Sequence, residues 1–256
     1  DAEDAIVLPP IDGEVRFEDV RFSYREDTAE VLHGISFTAA AGHTVALVGH
    51  TGAGKSTIVK LLARFYDPTG GRILMDGHDL RDVTMESLRS QLGIVPQEGF
   101  LFAGTVRDNI AFGRPDASME DVIAAARTVG ADEFIRELPE GYETQIEERG
   151  SRLSIGQRQL VAFARALLAN PRLLILDEAT SSVDTPTVAR IEHALEALLD
   201  RRTAVVVAHR LSTIRRADLI VVLEHGTVIE SGTHEQLIAR RGRYFSLYDD
   251  WVENVA

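Results

Sequence analysis

The chain has 256 residues, 45% hydrophobic and 26% charged, with a formal charge of −13, which fits a globular chain of one large domain or two small ones. The acidic balance argues against a nucleic-acid groove, which needs a basic stripe. The absence of cysteine excludes disulfides, thiolate metal sites and a cysteine nucleophile, and it fits a reducing compartment.

The sequence begins at Asp1 with neither a methionine nor a signal-peptide pattern, so a segment of a longer polypeptide is expected. The acidic opening, which carries Pro9-Pro10, reads as a linker end over 1–13. Val15–Val20 and Val31–Thr38 alternate apolar and polar residues, the pattern of half-buried antiparallel strands. Thr44–Val48 reads as a buried strand and Ile58–Phe65 as a helix. Further strands are expected at Arg72–Met75 and Leu92–Val95, and then the periodicity turns helical from Thr105 to Leu168. Arg165 interrupts the richly apolar stretch Leu160–Ala169. Strands at Leu173–Leu176, Ala204–Val207 and Leu219–Leu223 follow, separated by the amphipathic helix Pro186–Leu199. Strands this apolar are buried on both faces, so a parallel sheet between helices is expected. No apolar run approaches the ~20 residues needed to cross a bilayer. The arginines around 201–216 read as a solvated face rather than a binding patch.

Gly49-His50-Thr51-Gly52-Ala53-Gly54-Lys55-Ser56-Thr57 fits G-x-x-x-x-G-K-[ST] and lies between the expected strand and helix. Glycines let successive backbone N–H groups turn inward on phosphate oxygens at the positive end of the helix dipole. Lys55 then reaches the β- and γ-phosphates, and the Ser56 hydroxyl takes a place on Mg²⁺. The chain is therefore expected to bind a nucleoside triphosphate. Leu173–Leu176 delivers Asp177 beside this loop as a carboxylate for Mg²⁺, directly or through water. Glu178, one residue on, faces the other way and can polarise the water that attacks the γ-phosphate.

Leu153-Ser154-Ile155-Gly156-Gln157 resembles the LSGGQ signature of ATP-binding cassette (ABC) proteins, and it precedes the acidic strand at that family's distance. Tyr24 matches the aromatic that stacks on adenine, and Gln97 the glutamine that touches Mg²⁺ and reports to membrane domains. Ser182-Val183-Asp184 resembles the D-loop, and His209 matches the switch histidine on the γ-phosphate. Taken alone, Tyr24 also fits a core aromatic, Gln97 a loop amide and His209 a strand-end histidine; the ordered set favours the family reading. The segments Val95–Ile110 and Glu148–Arg152 look like those of exporter-type nucleotide-binding domains, where they contact helices descending from the membrane.

The resemblance implies an α/β fold: a RecA-like P-loop core with an antiparallel β subdomain and an inserted α-helical subdomain. The core would take 14–97 and 171–256, with a C-terminal helix, and the insertion 98–170. It implies Mg²⁺ with ATP as substrate. Lys55 and His209 would stabilise γ-phosphate charge, Ser56, Gln97 and Asp177 would hold the metal, and Glu178 would act as base. Ser154 and Gly156 open a helix expected over Gln157–Leu168, a second anion site. In the family this site closes over ATP held by a partner's phosphate loop. The implied partners are a second nucleotide-binding domain and transmembrane domains, at the cytoplasmic face of the cell membrane.

Two positions depart from the pattern. Ile155 stands where the family has glycine, and Glu147 stands where a glycine commonly precedes Glu-Arg-Gly. A β-branched residue at 155 keeps backbone further from a phosphate than glycine does. With Glu178 and His209 intact, this favours a paralogue as partner over a second copy. The alternatives are a non-transport ABC ATPase of the DNA-repair or translation type, an importer ATPase subunit, and an ordinary P-loop kinase. The first predicts a basic surface and long insertions, neither of which is visible, and the kinase leaves the signature unexplained.

Overall fold

The computed structural model describes residues 1–25, 27–96, 99–147, 153–177 and 185–255. In chain order these form β1 (Val15–Phe22), β2 (Leu32–Ala39), β3 (Thr44–Val48), α1 (Lys55–Leu62), β4 (Gly70–Met75) and β5 (His78–Asp79). Next come α2 (Met85–Arg89), β6 (Leu92–Val95), β7 (Gly104–Thr105), α3 (Val106–Ala111), α4 (Met119–Thr128), α5 (Asp132–Glu137) and β8 (Gln145–Ile146). The rest is α6 (Ile155–Ala169), β9 (Leu173–Asp177), α7 (Thr185–Leu199), β10 (Thr203–Val207), α8 (Leu211–Arg216), β11 (Leu219–Glu224), β12 (Thr227–Gly232), α9 (His234–Arg240) and α10 (Arg243–Val255). Two compact units divide the chain: 1–92 with 172–178 and 201–256, and 93–171 with 179–200.

The first unit holds two sheets. One is antiparallel in the order β2-β1-β4-β5. In the other, β12-β11-β3-β10-β9 run side by side, parallel except for β12. The parallel strands are buried almost throughout, as their unbroken apolar runs require. Side chains of both sheets and of α1 share one core, in which Phe17 stacks on Phe37 at 4.5 Å. Alternation in β1 slips by one residue: Val15 and Phe17 are buried, then Val20 and Phe22. Asp19 adopts φ 47° at the register shift, and its N–H donates to Ser36 Oγ at 2.9 Å. This is a bulge, which moves a side-chain phase without breaking the strand.

One local expectation needs correcting. α1 starts at Lys55 and stops at Leu62 rather than running to Phe65. Arg64 takes φ 49° and buries its guanidinium on the carbonyls of Val83 and Arg81, which leaves Phe65 exposed beyond the helix. The opening segment is fixed by hydrogen bonds within the first unit. Leu8 and Ile11 are buried, and their N–H groups donate to Ser87 Oγ and Gln91 Oε1, each at 2.9 Å. The Asp76 carboxylate accepts from the N–H groups of Asp12, Gly13 and Glu14.

In the second unit α6 packs against α3, α4 and α7, and β7 pairs with β8. Thr105 with Asp108, and Ser118 with Asp121, form capping boxes that open α3 and α4. Arg165 lies within α6. Its guanidinium donates to the carbonyls of Asn109 and Phe100 and to Asn109 Oδ1, and it lies over the rings of Phe102 and Phe112. Burial pushes its pKa down to about 10. No helix among the described residues is long and apolar enough to cross a membrane.

Candidate nucleotide site

β3 ends at Val48 and α1 begins at Lys55, so residues 49–54, where a phosphate loop is expected, form the loop between a buried strand and a helix. Gly54 is the N-cap in a left-handed conformation and offers no side chain to the first-turn N–H groups. The Thr57 N–H donates to the Gly54 carbonyl, and those of Lys55 and Ser56 are left for an anion. Lys55 is buried, and its Nζ donates to the carbonyls of Gly49 at 2.6 Å and His50 at 3.0 Å. The loop is closed from inside by Ala53 N–H on the His50 carbonyl, and from below by Gly226 N–H on the Ala53 carbonyl. Thr51, Gly52 and Ser56 are exposed, whereas Thr57 is buried.

Strand register gathers the charged groups. Val207 in β10 pairs with Leu47 of β3 on one side and Asp177 of β9 on the other. The carboxyl ends of three parallel strands thus lie together, where α/β sheets carry their ligands. Asp177 closes β9, and His209 follows β10 by two residues. Burial lowers the Lys55 ammonium pKa, and the Asp177 carboxylate partly offsets this. Burial raises the Asp177 pKa, against the pull of His209 and Lys55. Burial and the Lys55 charge lower the His209 pKa, with Asp177 opposing. Desolvation leads in all three, so each charged form is held at a cost that an ion or a phosphate of opposite sign would relieve.

Tyr24 stands beside α1. Its hydroxyl is 3.1 Å from Thr57 Oγ1, its ring meets Phe22 and Tyr66 edge-on, and 39% of the residue stays exposed. Lys60 Nζ lies 5.4 Å from the ring centroid. The second unit carries the signature-like segment. Leu153 and Gly156 are buried, and Ile155 is 42% exposed in the first turn of α6. The helix opens at Ile155, ahead of the expected Gln157, because Ser154 and Gln157 form a capping box: Ser154 Oγ accepts from Gln157 N–H, and Gln157 Oε1 accepts from Ser154 N–H. Glu147 lies just after β8. Gln97, Glu178, Asp184 and the segment 148–152 lie outside the described residues. Sequence reasoning missed Arg243, whose guanidinium reaches His50 from the start of α10. No motif or periodicity marks it.

The chain is 57% identical over 243 residues to an uncharacterized ABC transporter ATP-binding protein, YknV, of Bacillus subtilis, covering 95% of this chain and 40% of that protein. It is 52% identical over 248 residues to an ATP-dependent lipid A-core flippase of Syntrophus aciditrophicus, covering 97% of this chain and 41% of the flippase. The structure of a bacterial Atm1-family ABC exporter with ATP bound superposes with a TM-score of 0.91 at 48% identity, over 100% of this chain and 44% of that one. The chain thus spans about two fifths of the length of the curated relatives it matches. Residues 32–181, more than half of the chain, match the ABC transporter family model, and the chain belongs to that family as an ATPase domain.

Proposed function

We propose that this chain is the nucleotide-binding domain of an exporter, working at the cytoplasmic face of a membrane on transmembrane domains elsewhere in the same polypeptide or assembly. The observation that carries the reading is the gathering of Lys55, Asp177 and His209 around the open start of α1, on a chain whose relatives include a flippase and whose structural neighbour is an exporter. The lobe 14–97 with 171–256 would hold ATP, and the helical part 98–170 would present the signature segment.

The donors fit a magnesium ion. Ser56 offers an exposed hydroxyl and Asp177 a desolvated carboxylate, the hard oxygen ligands Mg²⁺ takes alongside phosphates and water. Gln97 would complete the protein's share. When bound, the ion neutralises phosphate charge. Lys55 would turn from a loop carbonyl to the γ-phosphate, and His209 would donate to it. Tyr24 would stack on the base, and Glu178 would accept the proton of the attacking water. The backbone of Gly49 to Thr57 would cradle the remaining phosphate oxygens.

Leu153–Gln157 would close over ATP held by a partner domain in a head-to-tail dimer, with Asp184 at the contact. Ile155 lies in the first turn of α6, and it would set a side chain where the family's glycine lets backbone approach a phosphate. A paralogue with an unaltered signature is therefore the favoured partner. The test is the solution mass of Glu178→Gln with and without Mg·ATP at high concentration. A monomer that binds ATP and doubles in mass only after Ile155→Gly fits this reading. Doubling without that change would refute the paralogue preference, and failure to bind ATP would refute the site.

A further inference from the structure

We infer that Arg243, the first residue of the C-terminal helix, is a positioning residue of the phosphate loop, holding His50 and through it the carbonyls on which Lys55 rests. The inference builds on the nucleotide reading above. Arg243 Nη2 is 2.8 Å from His50 Nε2. A guanidinium only donates, so Nε2 is the acceptor in this contact. The same guanidinium donates through Nε to Glu224 Oε1 at 3.0 Å. Glu224 ends β11, and the turn after it supplies the Gly226 N–H that supports the Ala53 carbonyl. One planar fork therefore ties the side chain of a loop residue to the strand end beneath that loop.

The backbone that presents Arg243 is fixed as well. The Glu230 carboxylate accepts from the N–H groups of Arg243 at 3.1 Å and Tyr244 at 2.7 Å. A Cβ on Gly242 would sit 1.7 Å from Glu230 Oε1, so a side chain there would displace the carboxylate from these two N–H groups. Tyr244 is fully buried, with its hydroxyl 2.7 Å from His234 Nδ1. His50 is thereby held from two sides, its ring by Arg243 and its carbonyl by Lys55. Removing Arg243 releases the ring and so frees the loop segment that aims the Lys55 ammonium, and it also removes a positive charge from beside a site for a polyanion. Both effects weaken ATP binding more than they slow turnover of ATP already bound.

The test is a double-mutant cycle on the full chain, reading Kd for ATP with magnesium by calorimetry, KM and kcat by phosphate release, and melting temperature. Arg243→Ala is expected to raise Kd and KM about three- to tenfold with kcat within about twofold, the scale of one partly exposed charged hydrogen bond. His50→Ala, which keeps the Arg243 charge, should raise Kd and KM but by no more than Arg243→Ala does, and the double variant should be no weaker than the weaker single. Arg243→Lys keeps the charge but not the fork, and should fall between wild type and Arg243→Ala. Tyr244→Phe loosens the helix without touching Arg243, and should lower the melting temperature at unchanged Kd. Unchanged Kd in Arg243→Ala overturns the inference. So do effects of Arg243→Ala and His50→Ala that multiply in full, or a Tyr244→Phe variant as weak as Arg243→Ala. Wild-type chain that binds no ATP would instead sink the nucleotide reading, and the inference with it.

Discussion

Replacing Gly49 by alanine adds one methyl group at the point where β3 gives way to the phosphate loop. Gly49 has φ 150°, and a Cβ there would lie 2.3 Å from the Leu223 carbonyl oxygen and 3.2 Å from Ala53 Cβ. Backbone in that region strains an alanine by ~1–3 kcal/mol. Pushing the β11 carbonyl aside is overpacking of a core strand and costs ~1–3 kcal/mol more. The expected loss is ~2–6 kcal/mol out of a total stability of ~5–15 kcal/mol. Gly52→Ala is the matched control: φ is 82°, but nothing lies within 4 Å of the new methyl group. Only left-handed strain of ~1–2 kcal/mol applies there. Guanidinium unfolding at unchanged slope measures both, and ATP binding is read alongside. Both variants should lose affinity, Gly49→Ala because the loop is displaced and Gly52→Ala because the methyl group fills space open to a phosphate. Gly49→Ala within ~0.5 kcal/mol of wild type, the usual range of a surface substitution, would refute the reasoning. So would a Gly52→Ala variant as unstable as Gly49→Ala.

Glu178→Gln should retain ATP binding and lose at least ~100-fold in turnover, the scale of a lost general base; undiminished phosphate release would remove Glu178 from the mechanism. His209 has a folded pKa below its ordinary 6.5. The unfolded chain therefore binds the proton more readily, so the nucleotide-free chain should lose stability as pH falls below about 6.5. His209→Gln should flatten that part of a stability-against-pH curve, and an unchanged slope would count against the depressed value. Because burial dominates at Asp177, Asp177→Asn should leave the nucleotide-free melting temperature unchanged or raised while turnover disappears. A clear drop in that temperature would mean that attraction to Lys55 outweighs the cost of burial. Ser154→Ala removes an α6 cap and should cost ~1 kcal/mol in denaturant unfolding; a neutral result would show that the capping box contributes nothing to α6.

Much of the local architecture was legible because it is written in short-range chemistry. The unbroken apolar runs of β3, β9, β10 and β11 and the helical spacing of α6 and α7 match the observed elements within two residues. The exceptions have physical causes. The β1 bulge depends on Asp19 finding Ser36 on a neighbouring strand. The early end of α1 depends on Arg64 finding carbonyls beyond Leu80. The docking of the opening segment depends on Ser87, Gln91 and Asp76, more than sixty residues away. β12, α8 and α9 are short and bury at most two side chains each, so they leave little apolar pattern in the sequence.

What the sequence determined by itself was the family, and with it the expectation of a phosphate loop, since the nine contiguous residues from Gly49 to Thr57 carry their pattern with little outside help. Tertiary structure decided which charges meet. Asp177 and His209 reach Lys55 only because β9 and β10 pair beside β3 out of chain order, in a register that aligns Val207 with both Leu47 and Asp177. Arg243 reaches His50 across 193 residues, because Glu230 and Gly242 fix where the last helix begins. Strand order and helix docking follow from the burial of a whole core rather than from any local run of residues, so the spacing of residues along the chain does not encode them.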